Sequence, residues 1–176
     1  FQQAFDAANL RSSVDPILIA RLINNLARLE FLRGNYFRAE ALARDALAGR
    51  SSALESNHPD LAETKLVLGS ILTECGDVQE AEALLRESSL ARGRLYPRDH
   101  WLVAEAESAL GWNLVRQGRM SDAETLLLNS WHATASVLLP EHVVRQTVGR
   151  RLASLYSRPE MKSDGALGTH SAEQAT

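Results

Sequence analysis

The sequence GNYFRAEAL at residues 34–42 returns as GDVQEAEAL at residues 76–84 and as GRMSDAETL at residues 118–126. Each copy keeps the pattern Gly-x4-Ala-Glu-x-Leu, and successive copies start 42 residues apart. A fixed period of this length is typical of repeat proteins, in which each repeat buries its apolar face against the next one. The pattern therefore predicts a repeat architecture before any local propensity is considered.

Apolar residues on both sides of each glycine predict two helices per repeat. Before Gly34, the residues Ile19, Leu22, Leu26 and Leu29 follow at intervals of three and four, as in an amphipathic helix. Glycine suits the left-handed position just past a helix C-terminus. We predict first helices, called helices A, at about 16–33, 60–75, 101–117 and 142–157, and second helices, called helices B, at about 36–54, 78–96 and 120–138.

Acidic residues and histidines recur where helices A begin, as Asp15-Pro16, His58-Pro59-Asp60, Asp99-His100 and Glu141-His142. An acidic side chain at or beside the N-cap accepts backbone N–H groups, so we expect the acidic residues to cap these helices. The recurring histidines belong to successive repeats, which stack at about 10 Å. Because zinc needs ligands at about 2.0–2.1 Å from one centre, we predict no metal site.

The chain is predicted to be all-α, a right-handed α-α superhelix of about three and a half helix pairs. Residues 1–14 are expected to end a helix B of a preceding, truncated repeat. Residues 15–157 are expected to form the repeat domain, with repeats at about 15–56, 57–98 and 99–140 and a lone helix A at 141–157. Residues 158–176 are rich in Gly, Ser, Thr and Pro, and we predict a disordered tail.

Composition and motifs argue against several classes of function. A net charge of −3 over 176 residues gives no basic face for nucleic acid or for an anionic membrane surface. No apolar stretch approaches the roughly 18–20 residues that span a bilayer. The single cysteine, Cys75, fits a reducing compartment, so we expect a cytoplasmic protein. The sequence has no phosphate loop, HExxH pair, nucleophile elbow or kinase signature, and we predict no enzymatic activity and no cofactor.

The helix–turn–helix repeat with its Gly-x4-Ala-Glu-x-Leu phrase resembles the tetratricopeptide repeat, whose usual period of about 34 residues is shorter. NNLA at residues 24–27 and HPD at residues 58–60 are similar to the kinesin-light-chain type of this repeat. The resemblance covers about residues 1–157, although only the first repeat keeps both asparagines and the last lacks its helix B. It implies a solenoid that binds extended peptides along a concave surface lined by helices A. Bacterial repeats of this type often follow a serine/threonine kinase or a regulatory domain.

Positions on helices A predict which residues face that concave surface. Asparagine amides suit capture of a peptide backbone, arginines pair with acidic groups, and a tryptophan can anchor a partner. The predicted partner-binding residues are Arg21, Asn24, Arg28, Glu63, Leu66, Ser70, Glu105, Ser108, Trp112 and Arg150. Trp131 aligns with Leu47 and Ser89 on helix B, and we expect it to pack against the next helix A.

The leading hypothesis is a non-catalytic protein-interaction module that binds an extended peptide or partner segment. One alternative is a regulatory repeat region of a larger bacterial serine/threonine kinase or signalling protein. Another is self-association, because an open N-terminal repeat face would expose Phe1 and Phe5. Neither nucleic acid nor a membrane is expected as a partner.

Overall fold

The computed structural model of the protein describes residues 15–159 and residue 161, and these residues form seven long helices and no strand. The helices are α1 Pro16–Leu32, α2 Tyr36–Ala53, α3 Pro59–Cys75, α4 Val78–Leu95, α5 Trp101–Arg116, α6 Met120–Val137 and α7 Val143–Tyr156. All seven predicted helices are present, and each end lies within one residue of its predicted position. The all-α class is therefore confirmed. The interpretations of residues 1–14 and of nearly all of the tail concern residues outside the described ones.

Three glycines end the helices A at the predicted places. Gly34, Gly76 and Gly118 have φ angles of 80°, 98° and 80°, which is the left-handed region. In each turn the residue after the glycine donates its backbone N–H to the carbonyl five residues earlier. These bonds run from Asn35 to Glu30, from Asp77 to Leu72 and from Arg119 to Leu114, at 2.9–3.0 Å. This is the Schellman arrangement, and it satisfies carbonyls that the helix leaves unpaired.

The helix N-termini differ from the sequence-based prediction. Asp15 caps α1 as expected, because its Oδ1 accepts the N–H of Ile17 at 2.9 Å. The caps of α3, α5 and α7 are instead the histidines His58, His100 and His142, and the Nδ1 atom of each accepts the backbone N–H two residues on, at 3.1, 3.2 and 3.3 Å respectively. Neutral imidazole has a lone pair for this role. The recurring histidines are therefore capping residues, and the acidic neighbours Asp99 and Glu141 are not.

Contacts divide the chain into two compact units, residues 1–91 and residues 92–176, called unit 1 and unit 2. In unit 1, α2 packs against both α1 and α3. Its core combines small residues on α1 and α2 (Ala27, Ala39, Ala43) with larger ones on α3 (Leu68, Ile71, Leu72). The small side chains allow close approach of the helices, and a Cβ added to Gly69 would lie 2.7 Å from Leu85 Cγ.

Unit 2 repeats this packing with α5, α6 and α7. Leu114, Leu127, Val148 and Leu155 are among its fully buried side chains. At Gly149 of α7 an added Cβ would lie 3.1 Å from the Trp131 ring, so this glycine makes room for the indole. The prediction that Trp131 packs against the following helix A is confirmed.

Candidate partner-binding surface

The predicted contact residues of unit 1 lie on α1 and α3, and they differ in their exposure to solvent. Arg21 and Arg28 on α1 are exposed, and Glu63 and Ser70 on α3 are partly exposed. The structure brings two of them together, since Arg28 Nη1 donates to Glu63 Oε1 at 2.9 Å. This ion pair joins consecutive helices A, and half of the Arg28 side chain stays accessible, with 50% exposure.

Three predicted contact residues lie in the interior. Asn24, Leu66 and Ser108 have relative exposures of 1%, 6% and 0%. Each stands three residues before the small residue of its helix A, and in α1, α3 and α5 this position points into the packed layer rather than onto an open surface. Ser108 also accepts a hydrogen bond from Arg151 Nη1 at 3.1 Å. We therefore leave these three residues out of the accessible surface.

In unit 2 the predicted residues have different surroundings. Glu105 is partly exposed, and its Oε2 accepts a hydrogen bond from Arg92 Nη1 at 2.8 Å, so this carboxylate already has a counter-charge. Trp112 on α5 is partly exposed. Arg150 on α7 is exposed and donates to Thr147 Oγ1 at 3.1 Å on its own helix. Trp112 and Arg150 therefore remain the accessible members in this unit.

The sequence-based prediction missed two buried arginines, Arg50 and Arg92, each of which holds one inter-repeat turn in place. Arg50 Nη1 donates to the Asp60 carbonyl at 2.7 Å and to Thr64 Oγ1, and Arg92 Nη1 donates to the Leu102 carbonyl at 2.7 Å. Both side chains are buried, and they stand 42 residues apart at the same position of helix B. The recurrence of arginine at this position of the repeat could have indicated a structural role from the sequence alone.

Reactive chemistry finds little support in the described residues. No group of three His, Cys, Asp or Glu side chains among residues 15–159 is arranged to hold a metal ion. Desolvation and the nearby carboxylate of Glu40 raise the pKa of the Cys75 thiol, which keeps it in the less nucleophilic form. Within the same residues, no helix has both the length and the apolar character required to cross a bilayer.

Comparisons with known proteins agree with this geometry. Residues 18–89 match the tetratricopeptide repeat family. The structure is similar to a candidate kinesin light chain from Podosopora anserina with nearly identical TPR-like repeats, with a TM-score of 0.71 and 23% identity over 85% of this chain and 71% of that one. It is also similar to BtubC (BKLC) from P. vanneervenii, with a TM-score of 0.71 and 17% identity over 90% of this chain and 63% of that one. A search of curated proteins found no match.

The fold and the family match agree: residues 18–89 match the tetratricopeptide repeat family, and the helix pairs resemble those of tetratricopeptide-repeat structures. Its helix pairs are similar in fold to the kinesin-light-chain-like repeats of these structural neighbours. Repeats of this kind generally act as protein-interaction modules.

Proposed function

We propose that the protein binds extended segments of partner proteins through the accessible helix A residues of each unit, without catalysing a reaction. In unit 1 these are Arg21, Arg28, Glu63 and Ser70, and in unit 2 they are Trp112 and Arg150. The observation that carries the proposal is the exposed Arg28–Glu63 ion pair between α1 and α3. An exposed pair of this kind contributes little to stability, about 0–1 kcal/mol, so its charges are available to a ligand.

The charge of these residues favours a partner segment with acidic side chains. Arg21, Arg28 and Arg150 are exposed cations on helices A, whereas Glu105 is already paired with Arg92. A guanidinium group binds a carboxylate through two parallel hydrogen bonds, which adds specificity to the attraction. Trp112 would supply the apolar anchor, because partly buried aromatic residues dominate many interfaces. An intramolecular partner segment would use the same surface.

A peptide selection tests this proposal on the full chain. Random extended peptides displayed on phage would be selected on the wild-type protein, and the affinities of the selected peptides would be measured by fluorescence anisotropy. We expect Arg28→Ala and Trp112→Ala each to weaken binding by about tenfold or more, the loss typical of one charge-assisted hydrogen bond or one anchor residue. The thermal midpoint should stay within about 2–4 °C of the wild type.

Arg86→Ala is the matched control. Arg86 is an exposed arginine on α4, a helix B, and it pairs with Glu82 of its own helix at 2.6 Å. Its loss should leave peptide binding unchanged. Equal affinity of the wild type, Arg28→Ala and Trp112→Ala would remove the assignment of the surface to helices A. Failure to select any peptide would argue against extended segments as ligands.

Self-association is a second candidate with an observation of its own. Several apolar side chains of unit 1 are exposed, and Leu22, Leu32 and Phe37 have relative exposures of 60%, 80% and 89%. Contiguous exposed apolar surface is typical of interaction sites. Sedimentation equilibrium would detect a dimer that Leu22→Glu dissociates. A monomer at every concentration measured would eliminate this candidate.

A further inference from the structure

Unit 2 contains a surface pocket that is separate from the residues proposed above. It has a volume of about 530 Å³ and lies between the turn before α5, α5 itself and the C-terminal half of α6. Its polar lining includes Arg98 and Asp99 from the turn, Glu107 from α5, and Asn129, His132 and Ser136 from α6. This volume is within the range of ligand-binding pockets, about 300–1,000 Å³.

Unit 1 has charged residues at the positions that correspond to Glu107 and Asn129 of the pocket. Lys65 of α3 and Glu87 of α4 stand 42 residues before Glu107 and Asn129. In unit 1 the Lys65 Nζ atom lies 2.7 Å from Glu87 Oε2, so an ammonium group and a carboxylate form an ion pair between helix A and helix B. In unit 2 the carboxylate is on helix A, and helix B has a neutral amide. In unit 2 the anion therefore stands at the helix A position that Lys65 holds in unit 1, and helix B supplies no charge opposite it.

Glu107 is left without a close counter-charge. Among the residues that the structure describes, no donor lies within hydrogen-bond or ion-pair distance of its carboxylate. Burial raises the pKa of Glu107, and the more distant Arg98 opposes this only in part. The lining has one cationic side chain, Arg98, and two carboxylates, Asp99 and Glu107. The pocket thus carries one uncompensated, partly buried negative charge.

We infer that this pocket binds an alkylammonium group, the side chain of a lysine on a protein partner, in the place that the Glu87 carboxylate occupies in unit 1. The ammonium would donate hydrogen bonds to the Glu107 carboxylate and to the side-chain oxygens of Asn129 and Ser136. A lysine stem passes through an open pocket of this size with its methylene groups against the helix surface, as long cationic side chains do elsewhere.

The test titrates the full chain with the ammonium group alone. The probe is Nα-acetyl-lysine N-methylamide, and the readout is the movement of the backbone amide NMR signals of Asn129, His132 and Ser136. Two control compounds separate specific binding from screening: the Nε-acetylated form of the same probe, which has no charge, and tetramethylammonium, which has a charge but no donor. The signals of Lys65 and Glu87 serve as an internal reference that should not move.

Two variants locate the site. Glu107→Gln should weaken probe binding by about tenfold or more, because a charge-assisted hydrogen bond is lost while the shape is kept. Glu107→Lys combined with Asn129→Glu rebuilds the unit 1 ion pair inside unit 2 and should abolish binding by filling the pocket. Glu141→Gln, which removes an exposed carboxylate elsewhere in unit 2, is the matched control and should bind like the wild type.

Several results would overturn the inference: no saturable shift with the lysine probe, an equal response to tetramethylammonium, or undiminished binding in Glu107→Gln. If the double variant fails to fold, which circular dichroism would reveal, Glu107→Gln alone decides the question. A parallel titration with 1,5-diaminopentane addresses the source of the ammonium. Binding of the diamine without the lysine probe would overturn the assignment to a protein side chain. None of these outcomes bears on the peptide surface of helices A.

Discussion

Unit 1 and unit 2 contain the same helical repeat, but they place different charges at the same repeat positions. Lys65 in unit 1 has an internal partner in Glu87, whereas Glu107 in unit 2 lines a pocket and has none at close range. The buried positions, in contrast, are the same in both units. Leu68, Leu72 and Leu85 in unit 1 correspond to Leu110, Leu114 and Leu127 in unit 2. The period thus conserves the packing layer within this chain, and the differences that matter for binding lie on the partly exposed layer.

The two buried arginines occupy the same repeat position and make the same kind of backbone contact. Arg50 and Arg92 both donate to a backbone carbonyl of the next helix A, and their side chains are 2% and 5% exposed. The carboxylates around them differ. Arg92 Nη1 lies 2.8 Å from Glu105 Oε2, whereas Arg50 Nη2 lies 3.6 Å from Asp60 Oδ2. The third repeat has Thr134 at this position, and its turn is bridged from the other side by Arg145 of α7, whose Nη1 donates to the Leu138 carbonyl at 2.8 Å.

Loss of either buried arginine is the largest effect we predict. Arg50→Met and Arg92→Met keep much of the side-chain volume but leave buried carbonyl groups without a donor. We expect each to lower the free energy of unfolding by about 2–4 kcal/mol. Arg92→Met should cost more, because it also leaves the Glu105 carboxylate unpaired. Urea unfolding followed by circular dichroism would measure both, with the exposed Arg86→Met as the control. A result within the error of that control would show that the turns do not need the guanidinium groups.

The helical glycines predict an intermediate effect that also differs between the units. A Cβ at Gly69 would lie 2.7 Å from Leu85 Cγ and 3.2 Å from the Ala81 carbonyl, whereas one at Gly111 would lie 3.0 Å from Leu127 Cγ. Alanine favours a helix over glycine by about 1 kcal/mol, which offsets part of the strain. We expect Gly69→Ala to destabilise unit 1 by about 1–3 kcal/mol and Gly111→Ala to have a smaller effect.

Gly93→Ala on α4 provides the control for these two variants. An added Cβ there meets nothing within 4 Å, so only the gain in helix propensity applies. This variant should be neutral or more stable than the wild type by up to about 1 kcal/mol. Differential scanning calorimetry of the three variants measures the order of their stabilities. An equal response at Gly69 and Gly111 would mean that Leu85 moves aside as easily as Leu127 does.

The helices were predictable because three independent signals agree in each repeat. The 42-residue recurrence fixed the register, the three-and-four spacing fixed the helical faces, and glycine at residues 34, 76 and 118 fixed the ends of the helices A. The histidine caps were missed for a physical reason. Histidine is a rare N-cap, so the prior favours the neighbouring acidic residues, and only the hydrogen-bond geometry identifies His58, His100 and His142 as the acceptors.

The candidate surface was predictable only in part, because position on a helix does not decide burial. Asn24, Leu66 and Ser108 were assigned by helical position alone, and the packing of neighbouring helices covers all three. Glu105 has the expected position, but its pairing with Arg92 depends on a residue thirteen positions away on another helix. The Glu107 pocket needs the same kind of tertiary information. Comparing Lys65 with Glu107 across the period would have shown the reversed charge, although not the pocket beside it.

The smallest predicted effect is a pH dependence of opposite sign in the two units. In unit 1, Arg44 donates two hydrogen bonds to Glu80, at 2.7 and 2.8 Å, and these bonds lower the pKa of that carboxyl group. In unit 2, burial raises the pKa of Glu107. A lowered pKa in the folded state gives stabilisation that is present above the unfolded pKa and is lost as the pH falls through the folded value. A raised pKa gives stabilisation that is present below the unfolded value, about 4.3 for Glu, and is lost as the pH rises through the folded value.

The variants Glu80→Gln and Glu107→Gln should therefore change the free energy of unfolding in opposite directions at pH 7. Glu80→Gln should lower the free energy of unfolding by about 0.2–1 kcal/mol, the range of exposed ion pairs, and 1 M salt should reduce the difference. Glu107→Gln should raise it by up to about 0.5 kcal/mol, because it removes a poorly compensated charge. Both differences should shrink as the pH falls towards 4, where the wild-type carboxyl groups gain protons. Urea unfolding at pH 4, 5, 6 and 7 measures this, and a destabilised Glu107→Gln at pH 7 would mean that the Glu107 carboxylate has a counter-charge in solution, which would close the pocket to an external ammonium group.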